Sequence, residues 1–307
     1  MRFGDYQELC SQVPSYTWCN LFYRQIQDFQ PSLLTGTSAD PASAPVGVNP
    51  TCGTLRVGND GSLGNISNVV VCAVSMLVVL GLIYLVGRRK AAVGRVEFRF
   101  LLIVYFLTLP FQLLTNGSLL EQGTTALVVL TAIHAGLVVT LFLGLLANAI
   151  VATQVVEDGT MASVIPYLLF TIIFFGGTVY VSLDIALGIT KTLGPTENPS
   201  ELRSIALFVL TSIWPAASAL IYFVLMIYII LGVLNEIRPV WFFILAAGVF
   251  VLAQLAWFLL GKVICRRTNA KIDGSFIATF LETVCVLLLY LGWRNITEES
   301  WEDTAYN

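Results

Sequence analysis

Charge is what this chain has least of. Of its 307 residues, 11% are Asp, Glu, Lys or Arg, where soluble domains carry about 25%. That scarcity excludes a water-facing surface around most of the chain. Histidine occurs once, at His134, and a lone imidazole holds no zinc without partner ligands. The cysteines at 10, 19, 52, 72, 265 and 285 fit neither CxxC metal sites nor a dense disulfide framework. No basic face or aromatic-basic array points to nucleic acid. A GxSxG elbow, a P-loop, an HExxH helix and a paired-carboxylate cleft are all missing, so no catalytic residue, cofactor or metal is expected. The opening "MRFGDYQELCSQVP" lacks the apolar centre of a cleavable signal peptide, so targeting is expected to fall to the first span as a signal anchor.

What fills the chain instead is apolar. Hydrophobic residues make up 57% of it and its mean hydropathy is +0.82. A run of about 20 apolar residues crosses the hydrocarbon core as a helix. Such runs fall at 66–86, 98–115, 124–150, 164–188, 204–231, 240–260 and 275–293. The expected fold is all-α, a polytopic membrane protein with about seven transmembrane helices in one bundle at 66–293. A polar, turn-rich segment at 1–65 precedes it, too short for a core of its own, and an acidic tail at 294–307 follows. Ser163 with Pro166 suits the start of the fourth helix, and "DGS" at 273–275 offers a turn and a serine cap for the seventh. Pro110 and Pro215 fall inside helices and should kink them.

Orientation draws on two basic stretches. The loop "GRRKAAVGR" after the first span belongs in the cytosol by the positive-inside rule, which makes segment 1–65 lumenal and the tail cytosolic. The equally basic "KVICRRTNAK" before the last span would then be lumenal. Six or eight spans would remove the conflict. If 1–65 is lumenal, one disulfide can form among Cys10, Cys19 and Cys52, while Cys72 and Cys285 pack within apolar runs.

Polar groups inside the runs are the candidates for function. On a 3.6-residue period Ser275, Ala278, Thr279, Glu282 and Cys285 share one face of the last helix. A carboxyl at span depth costs about 2.5–3.5 kcal/mol on insertion scales, so Glu282 should either bond inside the bundle or meet another protein's helix. His134 is expected to pair with a polar group on another helix, Glu282 or Asp184. Asp184 itself lies near its helix end and reads as structural. Trp293 and Trp301 flank the acids Glu298 and Glu299, which suggests an interfacial anchor with an acidic patch beside it. "VVEDGT" (Glu157, Asp158, Gly159) and "KIDGS" (Asp273, Gly274) place Asp-Gly turns before spans.

These last motifs, with "FGDYQELC" near the N-terminus, "AVGRVEF" at 92–98 and above all "KIDGSFIATFLETVCVLLLYLGWRNITEESWED", resemble the fungal chitin synthase export chaperone family. The resemblance runs from residue 3 to residue 303. It implies a non-catalytic resident of the endoplasmic reticulum membrane that helps a chitin synthase fold and leave for the cell surface. Its implied partners are that synthase and the lipid bilayer. Export-coat machinery, and travel with the client to the plasma membrane, are further expectations. On this reading Ser275, Thr279, Glu282, Trp293, Glu298, Glu299 and Trp301 are candidate partner contacts. The alternatives are a small proton-coupled transporter, with Glu282, His134 and Asp184 as a relay, and a seven-helix receptor. The last helix lacks the lysine a retinal protein needs.

Overall fold

The computed structural model describes residues 2–34, 47–48, 55–90, 92–190, 193, 201–268 and 271–297. Two short helices, α1 (Gln7–Gln12) and α2 (Tyr23–Phe29), precede the long ones. Seven helices in the described residues are long and apolar enough to cross a membrane. They are α3 (Ile66–Arg88), α4 (Arg95–Asn116), α5 (Thr125–Ala152), α6 (Met161–Leu187), α7 (Ile205–Val233), α8 (Val240–Arg267) and α9 (Gly274–Ile296). The expected edges agree within a few residues except at α8. That helix continues to Arg267, so the first six residues of the basic "KVICRRTNAK" are helical extension and not loop.

Start signals explain several boundaries. Asn65, Thr124 and Ser204 each accept a backbone N–H of the first turn of α3, α5 and α7. At α9 the cap is Asp273, whose carboxylate accepts from the Ser275 N–H at 3.0 Å. Ser275 is therefore not the cap; a carboxylate one residue before the helix reaches its free N–H groups first. At α6 the helix begins at Met161, and Ser163 lies within its first turn rather than ahead of it. Pro215 follows a π-helical turn, Val209–Ile213; further π-turns occupy Ile229–Val233 at the end of α7 and Ala256–Leu260 of α8.

Connections alternate between two ends of the bundle. At one end the segment before α3 folds over the helices. Tyr6, Cys10, Trp18, Phe22 and Ile26 share a core cluster with Val128 of α5, Ile185 of α6 and Leu207 of α7. A lone antiparallel bridge joins Asp5 to Arg203, and Arg56 pairs with Glu121 at 3.0 Å. Borrowing its core from the bundle is how a segment of this length becomes ordered. Cys10 and Cys19 form a disulfide there. Cys265, buried near the end of α8, is also disulfide-bonded, a role the reading of the cysteines had not given it. Cys52 lies outside the described residues. Cys72 and Cys285 are free thiols on the spans, as expected.

Candidate functional site

The polar face of α9 splits in two. Ser275 and Thr279 are fully buried, and Thr283 almost so. Asn68 of α3 donates its side-chain amide to Ser275 Oγ at 2.9 Å. Gln112 of α4 donates to Thr279 Oγ1 at 2.6 Å. Thr283 meets Ser75 Oγ at 2.7 Å and the Tyr105 hydroxyl at 2.9 Å. This ladder ties α9 to α3 and α4. In a bundle without a hydrophobic driving force between helices, such bonds hold the contact. Ser275 and Thr279, expected as partner contacts, thus present no surface to a partner here.

Glu282 is set apart from the ladder. It lines a partly open cavity of about 420 Å³ walled by α4, α5, α7, α8 and α9. Gln254 of α8 lines the same cavity. His134 lines the same cavity but bonds neither Glu282 nor Asp184. Its Nδ1 lies 3.2 Å from Thr115 Oγ1, and its ring packs on Trp18 at 5.4 Å between centroids. A threonine hydroxyl on the neighbouring helix can donate to or accept from an imidazole and was simply nearer. Asp184 accepts from the backbone N–H and the hydroxyl of Thr190 at the end of α6, away from the cavity lining. The three groups form no relay.

Tyr16, Thr17 and Trp18 close the cavity from the N-terminal segment. Tyr16 packs against Phe258 at 5.7 Å, and Thr17 donates to Asn116 at 2.9 Å. The Tyr6 and Thr211 hydroxyls hydrogen-bond at 3.1 Å. The Cys10–Cys19 disulfide spans this stretch.

The two Asp-Gly turns prove to be clasps on opposite ends. Asp273, fully within the protein, accepts from the Asn65 amide at 3.0 Å, from Ser15 Oγ and from Ser275 Oγ. Burial pushes its carboxyl above the ordinary aspartate range, against the opposing effect of those donors. Gly274 lets α9 approach α8 closely: a Cβ there would lie 2.7 Å from the Gly261 Cα. At the other end Asp158 accepts from the Gly94 N–H at 2.9 Å. Glu97, 1% exposed, accepts from the Gly159 N–H at 2.9 Å and Ser163 Oγ at 2.7 Å. Glu157 itself is exposed. The family-like stretches "AVGRVEF" and "VVEDGT" are thus two halves of one contact.

Trp293 is 7% exposed, stacked on Phe98 at 5.2 Å, and donates to the Val93 carbonyl at 3.0 Å. It joins the end of α9 to the loop before α4 and is not an outward interfacial anchor. Glu298, Glu299 and Trp301 lie outside the described residues. The sequence reading missed Glu97, Gln112 and Gln254 as site residues; each is a polar side chain in or beside an apolar run, the same signal that singled out Glu282. Among the described residues no cluster of His, Cys, Asp and Glu could hold a metal.

Seven apolar helices joined by polar clasps at both ends define a multi-pass α-helical membrane protein. The model of one family, described as chitin synthase export chaperone, matches residues 2–306, and the chain belongs to that family. It is similar to the chitin synthase export chaperone of Aspergillus fumigatus, 28% identical over 305 residues, 98% of this chain and 85% of that one. The Emericella nidulans protein of the same name is 26% identical over the same shares. That of Kluyveromyces lactis is 22% identical over 308 residues, 98% of this chain and 94% of that one.

Proposed function

We propose that this protein is a membrane chaperone that assists a chitin synthase to fold and leave the endoplasmic reticulum, and that it does so by contact and not by catalysis. The observation that carries the reading is the family match over residues 2–306. It covers both clasps and the whole bundle rather than one motif.

The disulfide end of the molecule is lumenal on this reading, since disulfides persist in oxidising compartments. The loop "GRRKAAVGR" then faces the cytosol, as the positive-inside rule asks. The basic stretch after Gly261 shares the lumenal end, where Lys262 bonds Gln12. With the ladder of α9 committed inside the bundle, a client helix would be met on the outer faces of the spans. The acids Glu298 and Glu299 beside Trp301 would supply a cytosolic patch for basic client loops or for export coats.

Deleting the gene in its host should leave a tagged chitin synthase in the endoplasmic reticulum and lower cell-wall chitin. Affinity purification of the chaperone in mild detergent should bring down that synthase. Normal delivery of every chitin synthase in the deletion strain would refute the reading.

A further inference from the structure

The cavity beneath the N-terminal lid has a polarity along its length. Near the lid it is lined by Thr17, Gln112, His134 and Ser212. Toward the opposite end Leu102, Leu145, Val286 and Leu289 replace them. From Gln112 to Leu102 on α4, and from His134 to Leu145 on α5, is about 15 Å at the helical rise of 1.5 Å per residue. Glu282 lies between the two regions, with Gln254 beside it. Among the described residues no Lys or Arg lines the space. At about 420 Å³ it falls within the size range of small-molecule sites, roughly 300–1,000 Å³, mostly apolar with a few convergent polar groups.

A second observation concerns the walls. Two π-helical turns, Val209–Ile213 in α7 and Ala256–Leu260 in α8, supply Thr211, Ser212, Trp257 and Phe258 to the lining. A π-turn widens a helix and costs regular hydrogen bonding, and such turns concentrate at functional sites. The indole N–H of Trp257 is buried without an acceptor. A cavity opened by two irregular turns, holding a lone carboxylate at span depth, is costly unless something occupies it.

We infer that this cavity binds a single-chain amphiphile whose head group donates hydrogen bonds to Glu282 and Gln254 while its tail lies toward Leu145 and Leu289. The head supplies the donor, amine or hydroxyl, that the lining offers no Lys or Arg to provide. The tail fills the apolar half, and Tyr16 and Trp18 close over the head. Its test reads binding to the isolated protein and needs no synthase.

Dodecylamine, dodecanol and dodecanoate share one tail and differ only in the head. Each is added to the full-length protein purified in detergent, and the unfolding temperature is followed against concentration. The amine and the alcohol should raise it by several degrees in a saturable way, and dodecanoate should not. Glu282→Gln should abolish the amine's advantage over the alcohol, which tells a cationic head from a neutral one. Val138→Phe, which fills the cavity, should raise the midpoint concentration for both at least tenfold. If that variant does not yield monodisperse protein, Glu282→Leu gives the same readout by removing the head contact. Equal shifts from all three compounds, a preference for dodecanoate, or responses unchanged in the variants would overturn the assignment.

Discussion

Asp273 concentrates several functions in one side chain: it caps α9, accepts from Ser15 and holds Asn65. Its folded pKa is raised by burial, so the folded protein holds this proton more tightly than the unfolded chain, whose aspartate titrates near 3.9. The contribution to stability is therefore full below that value and falls as pH rises through the raised folded one. Wild-type unfolding temperature should decline across that acidic window, and Asp273→Asn, which stays neutral, should lack the decline. Asp273→Ala removes the cap and should cost about 1–2 kcal/mol, read as a lower midpoint in denaturant titration at neutral pH. An identical pH profile for wild type and Asp273→Asn would mean that another group sets the dependence. Glu282 and Asp273 are nine positions apart on the same motif, yet one faces a cavity and the other a clasp. Spacing along the helix placed Glu282 with Ser275 and Thr279 on one face. It could not tell that the face is wide enough for two environments.

The helices themselves were legible because lipid imposes a length. Seven apolar runs became seven helices, displaced mainly at α8, where basic residues extend the helix past the apolar run. The loops between them were less legible, since the turns of 92–98 and 157–160 read separately as ordinary loop chemistry. Only proximity in space makes Glu97 and Gly159 partners. The same holds for His134, whose partner Thr115 sits on the next helix at a distance no periodicity encodes. The Gln112–Thr279 bond is one of the side-chain bonds between α4 and α9, beside Tyr105–Thr283, and interhelical bonds in membranes average about 0.6 kcal/mol with a maximum near 1.7. A double-mutant cycle of Gln112→Leu and Thr279→Val should return a coupling energy in that range. A coupling of zero would leave the α4–α9 contact to packing and the Tyr105–Thr283 bond.

At the scale of the molecule, the N-terminal segment has no core until it lies on α5, α6 and α7. Its Cys10–Cys19 bridge closes a short loop, and loop entropy alone makes such a bridge worth about 2–3 kcal/mol. Replacing both cysteines by serine should lower the unfolding temperature by several degrees and make Lys262, which bonds Gln12 under the lid's edge, react faster with an amine-selective reagent. No change in either would detach the lid from the disulfide. Ser15 and Asn65 reach Asp273 across sequence separations of 258 and 208 residues. A ribosome delivers those two long before their partner. Until α9 has been made, then, Ser15 and the Asn65 amide lack this carboxylate, and the latch between the front of the polypeptide and α9 closes only after every other described span is in place.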